Sequence, residues 1–179
     1  MKKFLSILFI VFLIIGCKQP WGKNDPGETT PPDYSLGFDM VFDIPDLGLK
    51  TVEDIMIWTA TEIQYVGDQI HDIDEYWQNP YQTYTWRCGD CEDYSILAMY
   101  LIYRDTDFIP EMVVGHMNIG SGLHAWVFVN GIEWEPQVGM TIDEVYTEYS
   151  IIYTALYTVP YEEAIYRSNT THKAFRMKE

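Results

Sequence analysis

Apolar residues in the first half of the folded region recur at spacings that predict helices. The range Val52–Ile70 follows helical spacing, and Thr51 with Asp54 three residues later predicts an N-terminal capping arrangement. The segment 72–80 predicts a second short helix or turn. The segment Glu92–Tyr103 is apolar along its length and contains no Gly or Pro, which predicts a long buried helix.

The second half predicts strands. The range His124–Val129 is apolar and β-branched or aromatic, and Asn130-Gly131 is the pair that a two-residue hairpin turn prefers. Ile132–Glu135 then returns antiparallel. With this turn length, strand alternation puts His124 and Trp126 on the same face as Glu135, close enough for the side chains to meet.

The remaining segments complete an α+β prediction. We expect short strands at 112–114 and 150–157 and a short helix at 141–149, whereas the polar last dozen residues are expected to fray. Helices come first and strands follow, a pattern typical of α+β domains.

The N-terminus carries the pattern of an export signal. Residues 1–3 include two lysines, and Phe4–Ile15 is apolar except for one serine. Twelve residues are too few to span a bilayer but suit the apolar region of a signal peptide. The following Gly16-Cys17 resembles the lipobox of bacterial lipoproteins, in which the cysteine becomes the lipidated N-terminus. An ordinary signal peptide and a buried helix are the alternatives.

We therefore divide the chain into a signal peptide at 1–16, a lipidated N-terminus and flexible linker at 17–37, and a folded domain at 38–179. The linker assignment depends on the Pro, Gly, Thr and charged residues between positions 18 and 35, which cannot form a core.

Composition excludes several classes of protein. The 179 residues carry 11 Lys and Arg against 27 Asp and Glu, a formal net charge of −16 at pH 7. A chain this acidic is a poor nucleic-acid binder, because phosphate attraction requires a basic face. The 47% hydrophobic content argues against disorder, and three cysteines are too few for a disulfide scaffold.

The candidate chemistry centres on Cys91. The sequence Trp86-Arg-Cys-Gly-Asp-Cys-Glu-Asp-Tyr94 leads directly into the predicted apolar helix, so Cys91 falls in the first helical turn. There the backbone N–H groups and the positive end of the helix dipole stabilise a thiolate. His124 supplies a base, and Glu135 supplies a carboxylate that can orient its ring.

These motifs resemble the transglutaminase-like superfamily, especially its bacterial cysteine proteinase branch. The resemblance is carried by Gly-Asp-Cys-Glu-Asp-Tyr at 89–94, His-Ala-Trp-Val at 124–127 and Trp-Glu-Pro at 134–136, with Tyr-Trp-Gln-Asn-Pro at 76–80 upstream. It spans about residues 50–137. The family usually has Asp before this proline, and this chain has Glu135.

The resemblance implies a papain-like α+β fold and covalent acyl transfer on a peptide or protein. Cys91 is the implied nucleophile, His124 the base and Glu135 the third member. The Cys91 backbone N–H would form half of an oxyanion hole. The second donor stays open between Trp86, Gln82 and Gln78, and Trp126 is expected near the site. Water as acceptor gives hydrolysis, and an amine gives transamidation.

Other interpretations of the same residues remain open. Cys88 and Cys91 form a C-x-x-C pair, which permits a redox site or a disulfide in which Cys88 guards the nucleophile. Together with His116 and His124 they could form a zinc site. Acidic clusters at 72–75 and 105–107 permit calcium, although we expect solvated surface and no cofactor.

A non-catalytic peptide- or glycan-binding module on the same fold is the main alternative to an enzyme. In either case we expect an exported monomer that is held at a bacterial envelope membrane by lipid on Cys17. The sequence leaves open the substrate, the acceptor, and the membrane and leaflet.

Overall fold

A computed structural model describes residues 39–67, 76–120 and 122–176 of the chain, with backbone alone for 171–176. The predictions for the signal peptide, the linker and lipidation of Cys17 concern residues outside these ranges, as does the acidic cluster at 72–75.

The first helix, α1 (Val52–Glu62), begins at the predicted cap. Thr51 Oγ1 accepts a hydrogen bond from the Asp54 N–H, and the Asp54 carboxylate accepts one from the Thr51 N–H, which completes a capping box. The predicted extension to residue 70 is wrong. Ile63 is already extended, and β1 (Gln64–Tyr65) pairs in parallel with β2 (Cys88–Gly89), so a distant segment ends the helix.

The second helix, α2 (Pro80–Trp86), begins at the last residue of the segment 72–80 that is predicted as a short helix or turn. Residues 76–79 are irregular. Asn79 caps the helix, since its side chain accepts from the Gln82 N–H and the Gln82 side chain accepts from the Asn79 N–H. Pro80 takes the first helical position, where its missing N–H costs nothing.

The central helix, α3 (Cys91–Asp105), begins and ends close to the prediction. Every side chain from 91 to 102 is buried, as expected for a helix surrounded by other elements. It packs against α1, α2 and one face of the main sheet, whose Ala125 and Val127 share its core cluster. This helix therefore places the motif at 89–94 at the centre of the domain.

The main sheet contains five antiparallel strands: β3 (Glu111–Met117), β4 (His124–Val129), β5 (Ile132–Glu135), β6 (Met140–Thr141) and β7 (Tyr153–Pro160). Their order in the sheet is β6-β5-β4-β3-β7. Strand β3 is longer than predicted, and β7 begins and ends later than predicted.

The predicted hairpin register is confirmed. Val127 pairs with Trp134 and Val129 with Ile132 across a two-residue turn. Asn130 and Gly131 have φ angles of 51° and 80°, the positive values that this turn type requires. The register determines which side chains share a face with His124.

Two helices lie among or after the strands, so the predicted order of helices before strands is incomplete. Helix α4 (Ile142–Tyr149) matches the prediction, but α5 (Tyr161–Arg176) includes most of the segment that was expected to fray. Tyr161, Ala164 and Ile165 bury one side of α5 against the core. The described residues thus form an α+β domain, as predicted. None of their helices is long and apolar enough to cross a bilayer.

Candidate functional site

Cys91 is the first residue of α3, directly after its N-cap Asp90. The thiol is 3% exposed, and its Sγ donates a hydrogen bond of 3.1 Å to Oε2 of Glu92. At the first helical position the sulfur lies at the positive end of the helix dipole, which favours the thiolate. The neighbouring Glu92 carboxylate opposes thiolate formation. The local environment of Cys91 therefore contains both a favourable and an unfavourable electrostatic contribution.

His124 and Glu135 form a buried pair on neighbouring strands. Nε2 of His124 lies 2.5 Å from Oε2 of Glu135, and the side chains are 5% and 1% exposed. The other carboxylate oxygen of Glu135 accepts a hydrogen bond of 3.1 Å from the backbone N–H of Gln137. Both carboxylate oxygens are thus occupied, which fixes the orientation of Glu135 toward the imidazole.

Tyr153, which the sequence did not indicate as a site residue, contacts both members of this pair. Its hydroxyl donates to Oε2 of Glu135 at 3.1 Å, and its ring lies 5.9 Å from the His124 ring. Burial is the main cause that raises the pKa of Tyr153, and the Glu135 charge adds to it. Tyr153 therefore remains a protonated hydrogen-bond donor at neutral pH.

Trp126 lies beside His124, on the strand face where alternation places it. It is fully buried, and its ring stacks on that of His124 at 6.2 Å between centroids. Gly115 on the intervening strand provides the space, because a Cβ there would lie 2.7 Å from the Trp126 ring and 2.2 Å from the backbone oxygen of Thr154. A glycine in β3 therefore lets Trp126 and β7 approach each other closely.

The start of α3 and the His124–Glu135 pair lie within electrostatic range of each other. Tyr94, one turn after Cys91, has its pKa raised mainly by burial and further by the charge of Glu135. Its hydroxyl donates to the backbone oxygen of Ile63. Helix α3, which begins at Cys91, packs against β4, which begins at His124.

The three candidates for the second oxyanion donor differ in their surroundings. Gln82 is engaged on both ends, since its oxygen accepts from Asn79 and its Nε2 donates to the Tyr76 hydroxyl at 3.0 Å. Trp86 is 44% exposed at the end of α2. Gln78 is 3% exposed, and its Oε1 has no hydrogen-bond partner. Gln78 is therefore the candidate with unused hydrogen-bonding capacity.

Cys88 and Cys91 are both free thiols. Cys88 belongs to β2 and is half-buried. Its pKa is raised, chiefly by burial and also by the negative charge of Asp93. The other proposed zinc ligand, His116, is an exposed residue of β3 whose Nδ1 contacts the backbone oxygen of Gly122.

Metal sites find no support in the part of the chain that the structure describes. No group of three or more His, Cys, Asp or Glu side chains in those residues could hold an ion. In the acidic cluster at 105–107, Asp105 is engaged by Arg104 through hydrogen bonds of 2.7 Å from both Nε and Nη2. This carboxylate therefore neutralises a cation of the protein itself.

A scan against protein-family models gave no match to this chain, and a search of curated proteins found no similar sequence.

Proposed function

We propose that the chain is a cysteine hydrolase with a transglutaminase-like, papain-like core and a Cys91–His124–Glu135 triad. The observation that carries this proposal is the short buried contact between His124 and Glu135. His124 lies on β4, which packs beside the helix that begins at Cys91. A buried carboxylate against one imidazole nitrogen is the arrangement that orients a general base.

The contact assigns different roles to the two imidazole nitrogens. Nε2 faces Glu135 and donates its proton there, so Nδ1 carries the lone pair available to remove the Cys91 proton. The positive charge that the ring then gains is stabilised by the carboxylate. Because Tyr153 and Gln137 also hold Glu135, the ring keeps this orientation throughout the reaction.

The reaction is covalent acyl transfer. The Cys91 proton passes to Nδ1 of His124, the sulfur forms a bond to the substrate carbonyl carbon, and a tetrahedral intermediate results. Collapse of the intermediate breaks the bond to the leaving amine, which takes the proton from His124. Water activated by the same nitrogen then releases the acid and restores the thiol.

The developing oxyanion needs two donors. The backbone N–H of Cys91 lies in the first turn of α3, whose N–H groups point out of the helix end. We assign the second donor to Gln78. The two ends of a carboxamide have nearly the same shape, so rotation about its last bond puts Nε2 where the unpartnered oxygen lies.

The proposed setting is the bacterial envelope. The basic start, the apolar run and Gly16-Cys17 support export and lipidation at Cys17, and the substrate class is an amide of a peptide or protein. The strongly acidic chain gives no electrostatic attraction to an anionic membrane, so lipid would provide the attachment.

One observation favours the alternative of a non-catalytic binding module. The buried Cys91 thiol donates to Glu92, an arrangement that suits a protonated, unreactive cysteine. In that case the site would bind peptides without cleaving them, and the thiol would react no faster than an ordinary cysteine.

Reaction with an activated ester distinguishes a cysteine hydrolase from a non-catalytic binding module. With p-nitrophenyl acetate, an active enzyme releases p-nitrophenolate in a burst and carries acetyl on the Cys91 peptide. The variants C91A and H124A are expected to lose both signals. Cys88→Ser provides the matched thiol control and should retain them. A wild-type protein that acquires no acetyl at Cys91 contradicts the proposed function.

A further inference from the structure

Asp93 is a fully buried carboxylate two residues after the candidate nucleophile. Its Oδ1 accepts a hydrogen bond of 2.7 Å from the backbone N–H of Gln78, and its Oδ2 accepts one of 3.3 Å from the backbone N–H of Asp90. One side chain thus joins the N-cap of α3 to a segment 15 residues earlier in the chain.

The segment around Gln78 is held from its other side as well. Asn79 and Gln82 exchange hydrogen bonds in the capping box of α2, so the backbone immediately after Gln78 is fixed to that helix. Besides the packing of α2 on α3, the backbone N–H of Gln78 attaches this segment to α3 through Asp93. The bond to Asp93 therefore fixes the backbone from which the Gln78 carboxamide extends, relative to the first turn of α3.

The backbone at Gly89 packs directly against the Asp93 side chain. A Cβ at position 89 would lie 2.5 Å from the Asp93 Cβ and 2.7 Å from its Oδ2, so only glycine fits. A buried carboxylate is costly unless hydrogen bonds compensate it. An exposed acidic residue can cap a helix, so capping of α3 does not require a buried one. The burial of the Asp93 carboxylate therefore has another cause.

We propose that Asp93 is a positioning residue that holds the Gln78 carboxamide in place as the second oxyanion donor. This inference rests on the proposed function. It requires that loss of Asp93 slow the step in which the carbonyl oxygen becomes charged, and that this effect depend on Gln78. Asp93 itself touches neither the substrate nor the reacting atoms.

The test is a double-mutant cycle on the acylation step. Thiolate attack on p-nitrophenyl acetate forms the sulfur–carbon bond and expels p-nitrophenolate, so the burst rate reports charge development on the acetyl oxygen. Removal of one oxyanion donor typically costs about 100- to 1,000-fold. We expect Q78A to lower the burst rate by about 100-fold. Asp93→Ala removes both acceptor oxygens, so we expect it to lower the rate by at least about tenfold, since the Gln78 side chain is then present but displaced.

The two effects should not multiply. If Asp93 acts through Gln78, the variant D93A/Q78A has the same burst rate as Q78A alone. A burst rate of the double variant equal to the product of the two single effects overturns the inference. Where D93A does not fold, Asp93→Val takes its place in the cycle, because valine fills more of the buried volume and likewise offers no acceptor to the Gln78 N–H.

Alkylation by iodoacetamide provides a readout that a purely structural role would not give. Alkylation needs the thiolate but no oxyanion donor, and loss of a nearby negative charge favours the thiolate. D93A should therefore alkylate at Cys91 at least as fast as wild type while it acylates more slowly. An equal loss in both reactions overturns the inference. Absence of Cys91 acylation in wild type contradicts the proposed function instead.

Discussion

Nε2 of His124 and Oε2 of Glu135 lie 2.5 Å apart on the two strands of a hairpin whose turn is Asn130-Gly131. Positive φ angles at both turn residues set the register, and the register puts the carboxylate on the face of the imidazole. A local turn preference thus produces the contact on which the proposed chemistry depends.

Loss of the Glu135 charge should slow the reaction strongly. In Glu135→Gln the imidazole loses the carboxylate that orients it and stabilises its positive charge, so we expect acylation of Cys91 by p-nitrophenyl acetate to fall by about 100-fold or more. Glu133→Gln, two residues earlier on β5, is the matched control and should leave the rate unchanged. Equal rates for Glu135→Gln and wild type would contradict this role.

The Tyr153 hydroxyl should contribute to the orientation of Glu135. Tyr153→Phe keeps the ring beside His124 and Trp126 but removes the 3.1 Å hydrogen bond to the carboxylate. A hydrogen bond to a charged group contributes about 1.5–3 kcal/mol, so a several-fold fall in acylation rate is expected together with a lower unfolding midpoint in urea. Tyr157→Phe on the exposed part of β7 is the control, and equal losses in the two variants would refute the assignment.

Glu92 should restrain the thiol. Its carboxylate lies 3.1 Å from Sγ of Cys91, and a negative charge at that distance disfavours the thiolate. Glu92→Gln is therefore expected to shift the pH-dependence of Cys91 alkylation to lower pH, measured with iodoacetamide in buffer containing EDTA so that no metal ion occupies the thiolate. An unchanged or higher midpoint pH would show that the carboxylate does not act on the sulfur.

Cys88 should label only at high pH. Burial and the charge of Asp93 raise its pKa, so below that pKa its thiolate fraction is smaller than that of an ordinary cysteine. Peptide mapping after brief alkylation at pH 7 should therefore find the label on Cys91, with Cys88 joining only as the pH rises above the ordinary thiol pKa. Labelling of Cys88 at pH 7 as fast as that of Cys91 would exclude a protonated Cys88.

The parts of the fold that depend on neighbouring residues could be predicted from the sequence. The start of α1 follows from Thr51 and Asp54, and the hairpin follows from strand alternation around an Asn-Gly pair. The end of α1 could not be predicted, because the apolar spacing continues past Ile63 and the segment that terminates the helix lies at Cys88–Gly89.

Helix α5 and Tyr153 depend on tertiary packing in the same way. The polar sequence of 161–176 gives a weak helical signal, and a few buried side chains such as Ile165 hold the helix in place. Tyr153 reaches Glu135 only because β7 pairs with β3 across a register shift at Gly115. No short-range pattern encodes that pairing.

The sequence contains a signal that separates Gln82 from Gln78. Asn79-Pro80 followed by Gln82 is a capping-box sequence, which would have assigned the Gln82 side chain to the start of α2. Of the two glutamines considered as oxyanion donors, that leaves Gln78.

The alkylation rate of Cys91 as a function of pH, with and without His124, tests the triad most directly. The matched control is His116→Ala, which removes an exposed histidine of β3. An ordinary cysteine thiol has a pKa of about 8.5. If His124 activates Cys91, wild type and His116→Ala react rapidly with iodoacetamide at pH 6–7, and His124→Ala reacts at least about tenfold more slowly there. A wild-type rate that rises only near the ordinary thiol pKa and is the same in His124→Ala would contradict the proposed triad.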